Sequence, residues 1–307
     1  MANTATLSKD PILFLGAFSE IGTPLTENLV LAGYQVIAGT TSNEKLLAVQ
    51  GRIFAAGGVR PKGFVADLTN ADQVREAYCA LDLERDTPLN LFLFPSRGLE
   101  KIQGFIGREL ARVTSSKLDQ SKRKTLQEAT KSIRELVQKD ETQAYNMELT
   151  TAMRDIVQLL RRNGHLGNDS TVVTLSSSGS DYDPDNPSTY HGPGIYLPIA
   201  FAKVSLVMAL RREAQEDGFR FLDYVAPVVE GTQIAKFFQN ICDKVAEVYP
   251  EARVNFPTIS QEDLVEAVSY DLLEVSGKPR IGTRYVLGAA EISPTRPSSW
   301  DIEFPFF

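Results

Sequence analysis

A run from Thr171 through Val172, Val173, Thr174 and Leu175 to Ser176, Ser177, Ser178 and Gly179 is followed by Tyr196 and Lys203. A lysine ammonium beside a tyrosine favours phenolate and lowers the phenol pKa from about 10, which is what a general acid needs near neutral pH. Four residues before Lys203 stands Ile199, and the phenol lies seven residues back. Positions four and seven apart share one face of an α-helix, so either spacing brings a pair together. Pro198 favours the first helical turn and leaves Tyr196 just outside the helix. The plain alternative is an ordinary half-buried aromatic at Tyr196.

A second candidate lies near the start. Pro11 to Leu15 is a short apolar run closed by Gly16, with Gly22 six residues on and Leu25, Leu29, Val30 and Ala32 at helical spacing. Two glycines at a strand-to-helix turn let the backbone approach a pyrophosphate lying on the helix N-terminus. The middle glycine of such turns is missing, Ser19 and Glu20 standing there, and a ligand-free tight turn fits the same residues. The Glu20 carboxylate is unfavourable beside phosphates unless it points away.

These groups need a scaffold, and the apolar periodicity supplies one. Strands are expected at Pro11–Leu15, Gln35–Ala38, Gly63–Asp67, Leu89–Phe94, Thr171–Gly179 and Phe221–Val225, with helices at Glu44–Ala56 and Ala71–Leu81 between them. Several of these runs are continuous rather than alternating, as in parallel strands covered on both faces. Repeated βα units imply an α/β doubly wound parallel sheet, a Rossmann fold, with ligands bound beyond the carboxyl ends of its strands.

The 307 residues, 43% apolar, suffice for one domain, and no long Pro/Gly/Ser linker divides them. A net charge of -7 argues against nucleic acid or an anionic membrane as partner. Cys79 and Cys242, with His165 and His191, offer neither a disulfide framework nor a zinc site. The first ten residues lack the basic start and apolar core of a signal peptide, and no apolar run approaches the roughly 18 residues of a membrane span. A cytosolic or equivalent reducing compartment is expected.

Taken in order, these residues resemble the short-chain dehydrogenase/reductase family from about Pro11 to about Gly288. Gly16 and Gly22 match its glycine-rich turn, Asp67-Leu68-Thr69 its adenine-binding aspartate, Asn146 its helix asparagine, Ser177 its serine, and Lys203 with its Phe201–Leu206 flanks its lysine helix. Ala226-Pro227-Val228 has lost the glycine of the family's Pro-Gly but keeps Thr232, and the segments from Ser260 and Ile281 resemble its last helix and strand. Phe94-Pro95-Ser96-Arg97-Gly98 departs from the usual Asn-Asn-Ala-Gly. The Tyr196 to Lys203 spacing is similar to that of the divergent enoyl-thioester reductases, although these carry a second tyrosine where Ser177 stands.

The resemblance implies catalytic roles for Tyr196, Lys203, Ser177 and Asn146. It implies cofactor contacts at Gly16, Phe18, Ser19, Ile21, Gly22, Thr40, Thr41, Ser42, Asp67, Leu68, Pro95, Ser96, Lys203, Pro227 and Thr232. With no carboxylate after the second strand until Glu44, the expected cofactor is NADP(H). Thr41 or Ser42 would equally serve as a helix N-cap. The expected activity is reduction of a C=C, C=O or C=N bond of an apolar metabolite or thioester by a homodimer or homotetramer. The rival is a chain that has lost reduction and serves as a cyclase, isomerase or cofactor-binding regulatory module. Three further segments stand out: a helical insertion at about 99–143, a substrate-covering helix at about 233–249, and an aromatic tail over 291–307.

Overall fold

The computed structural model describes residues 7–68, 70–94, 128, 140–177, 197–232, 235–236, 239, 243, 257–273, 280–297 and 300. Its main sheet has eight strands: β1 (Ile12–Leu15), β2 (Val36–Thr40), β3 (Lys62–Val65), β4 (Asn90–Leu93), β5 (Thr171–Ser177), β6 (Arg220–Ala226), β9 (Ile281–Gly288) and β10 (Glu291–Ser293). A two-stranded parallel ladder, β7 (Val228–Val229) with β8 (Thr258–Ile259), lies beyond β6. The helices are α1 (Gly22–Leu31), α2 (Asn43–Ala55), α3 (Ala71–Cys79), α4 (Asp140–Arg162), α5 (Leu197–Asp217) and α6 (Gln261–Leu273).

The strand order is β10-β9-β6-β5-β4-β1-β2-β3, parallel throughout except for the β9–β10 hairpin. The chain winds one way from β1 to β3 and the other way from β4 onwards, so the reversal falls between β1 and β4. In such sheets the crevice outside the strand ends at this reversal is where a ligand fits.

Both faces are packed, which explains the continuous apolar runs. Under α1, α2 and α6 lie Phe14, Phe92, Leu222 and Tyr224 with Leu25, Leu29, Leu264 and Val268. The rings of Phe14, Phe92 and Phe94 interlock there, with Phe14 edge-on to Phe94 at 5.0 Å. Under α3, α4 and α5 lie Leu13, Leu91, Val172 and Phe221 with Val74, Ile156, Leu160 and Leu210. At the opposite end of the sheet from the crevice, the fully buried Asn90 side chain donates to Ser8 O and Asp10 O and accepts from Thr171 N, joining three strands' approaches.

Most boundaries fall within two residues of the sequence reading, and two differences extend the sheet. β2 continues through Gly39 and Thr40, because Gly39 pairs with Leu15 and Thr40 with Val65, and neighbouring strands outweigh the poor strand propensity of glycine. The sheet also extends into the segment assigned to the tail: Glu291–Ser293 pairs back on β9 through a turn with Ala290 at φ 53°. Further along that tail, Trp300 is buried edge-on against Tyr285 at 5.9 Å, so it packs on the body of the protein. The insertion at about 99–143 lies outside the described residues apart from Glu128 and the start of α4 at Asp140. Among the described residues no helix is long and apolar enough to cross a membrane.

Candidate functional site

The turn after β1 is shaped by its two glycines. Gly16 has φ +88°, and a Cβ there would lie 2.3 Å from Phe94 O. At Gly22 a Cβ would lie 2.2 Å from Gly16 O. Neither position accepts a side chain, so the backbone at the crevice is bare as α1 begins. Ser19 Oγ accepts from Gly22 N at 2.9 Å, and Thr26 Oγ1 donates to Ala17 O at 3.1 Å, closing the loop on itself. Ile21, at the N-cap position, makes no side-chain cap; the first-turn donors of α1 are met within the loop, Gly22 N by Ser19 Oγ and Thr23 N by Ser19 O, and Pro24 has none, so what the helix start offers a ligand is its dipole and its bare backbone. Glu20 is exposed. The Phe18 side chain, 5% exposed, belongs to the core, so this residue offers a ligand its backbone and not its ring.

The ends of β2 and β3 lie beside this turn. Gly16 N donates to Gly39 O, and Ala66 N donates to Thr40 O, so Gly16, Thr40 and Asp67 sit on adjoining strand ends. Thr40 Oγ1 accepts from Ser42 N at 3.3 Å, and Ser42 Oγ accepts from Lys45 N at 3.3 Å, which makes Ser42 the N-cap of α2. Thr41 is half-buried and Lys45 exposed. Asp67 is exposed with its N–H donating to Gln73 Oε1, while Leu68 packs against the second core. Thr69, Pro95 and Ser96 lie outside the described residues.

The other half of the site is carried by β5, β6, α4 and α5. Ser177 is the last residue of β5, its backbone in register with Ala226 of β6. Lys203 falls in the second turn of α5 and Asn146 in the second turn of α4; the side chains of these two and of Ser177 lie outside the description. α5 starts at Leu197 with Pro198 in its first turn, as the spacing implied, and Tyr196, the residue before it, lies outside the described residues. The helices carrying Asn146 and Lys203 are tied together. Glu213 Oε1 accepts from Gln158 Nε2 at 2.6 Å, Glu213 Oε2 lies 3.6 Å from Arg161 Nη1, and Arg161 also pairs with Asp217. With Glu213 buried, this network is screened less than a surface ion pair.

Thr232, expected to contact the cofactor, is engaged within its own loop. It is 2% exposed, its hydroxyl donates to Val229 O at 2.6 Å and accepts from Ala235 N at 3.2 Å. It caps the helical segment that follows, of which residues 235, 236, 239 and 243 are described as helix, within the expected 233–249. Pro227 separates β6 from β7 at the crevice end. The sequence reading missed Asp223, whose buried carboxylate accepts from Thr174 Oγ1 at 2.6 Å and Ser176 Oγ at 2.9 Å. Its signal was a carboxylate inside the apolar run from Phe221 to Val225, since a charge in a buried strand needs partners.

No protein-family model matches this chain, and no curated protein matches it. Solved structures do. An NADPH-bound short-chain oxidoreductase from Pseudomonas aeruginosa with an atypical catalytic centre superposes with a TM-score of 0.57 at 17% identity, over 92% of this chain and 96% of that one. The chain has the short-chain oxidoreductase fold. An L-sorbose reductase from Gluconobacter frateurii, complexed with NADPH and L-sorbose, gives 0.59 at 15% identity over 93% and 98%. A 3-oxoacyl (acyl-carrier-protein) reductase from Agrobacterium tumefaciens with NADP bound gives 0.58 at 14% over 92% and 94%.

Proposed function

We propose that this protein is an NADP(H)-dependent oxidoreductase that reduces a C=C, C=O or C=N bond of a largely apolar metabolite or thioester. The observation that carries the reading is the cradle at Gly16 and Gly22, where a Cβ is excluded at both positions and the bare backbone opens onto the start of α1 at the sheet's reversal. These residues fit a dinucleotide. Gly16, Ser19, Ile21 and Gly22 would hold the pyrophosphate, Asp67 and Leu68 the adenine end, and Thr40, Thr41 and Ser42 the ribose bearing a 2'-phosphate. Between Thr40 and Asn43 there is no carboxylate to repel that phosphate. The NADPH- and NADP-bound neighbours support the same choice.

The bound dinucleotide supplies hydride. The chain's own groups then manage the charge that develops on the substrate oxygen or carbon. Tyr196 donates the proton, Lys203 lowers the phenol pKa and holds the nicotinamide ribose, Ser177 hydrogen-bonds the developing oxyanion, and Asn146 positions a relay water. We assign the protein to the cytosol as a homodimer or homotetramer. Ile199 favours a second reading. It lies inside α5 four residues before Lys203, on the same face and without a hydroxyl, as in a fold that binds the cofactor after reduction is lost.

Fluorescence titration with NADPH and NADH, followed by NADPH oxidation on enoyl and keto substrates, tests both readings. The first expects NADPH to bind more tightly than NADH, turnover that Tyr196→Phe abolishes, and loss of binding in Gly22→Val. Tight binding without turnover supports the second reading. Absence of binding to either nucleotide overturns both.

A further inference from the structure

Asp223 sits at the middle of β6, 5% exposed, on the face that α5 covers. Its Oδ1 accepts two hydroxyls from the neighbouring strand, Thr174 Oγ1 at 2.6 Å and Ser176 Oγ at 2.9 Å. Thr174 and Ser176 are two residues apart and share one face of β5, so a single carboxylate oxygen spans both. On the other side, Thr283 of β9 is the register partner of Asp223, and its hydroxyl accepts from Arg211 Nη2 of α5 at 3.3 Å. A polar seam therefore crosses β5, β6 and β9 in a layer otherwise filled by Val172, Phe221 and Leu210.

Burying a carboxylate in such a layer is costly, and an apolar residue of similar volume is often no less stable. What the carboxylate provides is directional: two short charge-assisted bonds that fix where β5 lies against β6. The second of them grips Ser176, and the next residue, Ser177, ends the strand in register with Ala226. Among the described residues β4 pairs with β5 only as far as Thr174, so beyond it the strand is held by β6 from one side, and a hydroxyl that polarises substrate oxygen tolerates little misplacement.

We propose that Asp223 is a positioning residue for the candidate active site: through Ser176 it holds the backbone of β5 at Ser177, and so sets where that serine meets the substrate. The proposal rests on the reading of Ser177 as the polarising hydroxyl, and its test separates the two. In Asp223→Leu both bonds are lost; in Asp223→Asn the amide oxygen still accepts them; Ser176→Ala removes the grip from the other strand. Amide hydrogen exchange over Val172–Ser177 should rise about tenfold or more in Asp223→Leu and Ser176→Ala, remaining near wild type in Asp223→Asn. NADPH affinity should be unchanged in all three. On a substrate that the wild type reduces, kcat should fall about 10- to 100-fold in Asp223→Leu with KM for NADPH unchanged, and Asp223→Asn should restore most of it. Unchanged exchange at the end of β5, exchange raised evenly along the chain, or a wild-type kcat in Asp223→Leu would overturn the proposal. A wild type that binds NADPH and reduces nothing, while β5 exchange responds as expected, sinks the reductase reading and supports the grip of Asp223 on the strand.

Discussion

Asp223 and Asp271 flank β6 from opposite faces, the first contributed by the strand itself and the second by the last turn of α6. Asp223 is met by two neutral hydroxyls near the crevice end of β5. Asp271, fully buried, is met by charge and by a phenol: Arg284 Nε lies 3.6 Å from its Oδ2, and Tyr224 Oη donates to the same oxygen at 2.7 Å. Arg220 joins this second group; burial lowers its pKa, and the Tyr224 and Asp271 charges raise it. One strand thus carries a cluster of charged groups between sheet and helix on one face and a carboxylate hydrogen-bonded to two hydroxyls of the neighbouring strand on the other. Breaking the first removes the counter-charge of buried Arg284, while breaking the second removes directional bonds to the neighbouring strand.

The largest effect should come from the Asp271 side. Asp271→Ala takes the carboxylate from beside buried Arg284 and removes the negative charge that acts on buried Arg220, and losing one partner of a buried pair costs about 3–5 kcal/mol. Urea denaturation should show that loss as a lower midpoint with little change of slope. NADPH affinity, measured where the variant is folded, should stay at the wild-type value, since the cluster lies under α6 away from Gly16 and Gly22. A variant as stable as wild type would dissolve the contrast between the two carboxylates; one that is stable but fails to bind NADPH would reverse it.

The frame of this contrast was legible from the sequence, and its polar content was not. Continuous apolar runs such as Ile12–Leu15 and Phe221–Val225 announced buried parallel strands because both faces of the sheet are covered. Gly39 and Thr40 fell beyond the strand expected at Gln35–Ala38, yet become strand through β1 and β3, and the short polar β10 forms where β9 is there to pair with it. The Gly16 to Gly22 turn was legible because its chemistry is local. The bonds of Thr232 to Val229 O and Ala235 N were not, because they are decided by the fold of its own loop. Asp223 meets Ser176, and Asp271 meets Tyr224, each 47 positions away along the chain, and no periodicity reports such pairs.

The smallest effect distinguishes the phenol from the ion pair within the Asp271 cluster. Tyr224→Phe removes one hydrogen bond to a charged acceptor, worth about 1.5–3 kcal/mol, and leaves Arg284 beside Asp271. The Tyr224 phenol pKa is pushed well above its ordinary value, first by burial and then by the Asp271 charge. A group whose pKa is raised on folding contributes its full stabilisation below the unfolded value, about 10 for tyrosine, and loses it as pH rises towards the folded one. Wild-type stability should therefore fall on the alkaline side of about pH 10, and the gap between wild type and Tyr224→Phe should narrow there. Burial also raises the pKa of Tyr34 and Tyr78, so the variant keeps a residual alkaline slope. Parallel stability curves for the two proteins between pH 8 and 11 (roughly the window spanning the tyrosine pKa) would show that Tyr224 does not keep its proton against Asp271. The Asp271 cluster would then be held by the arginines alone.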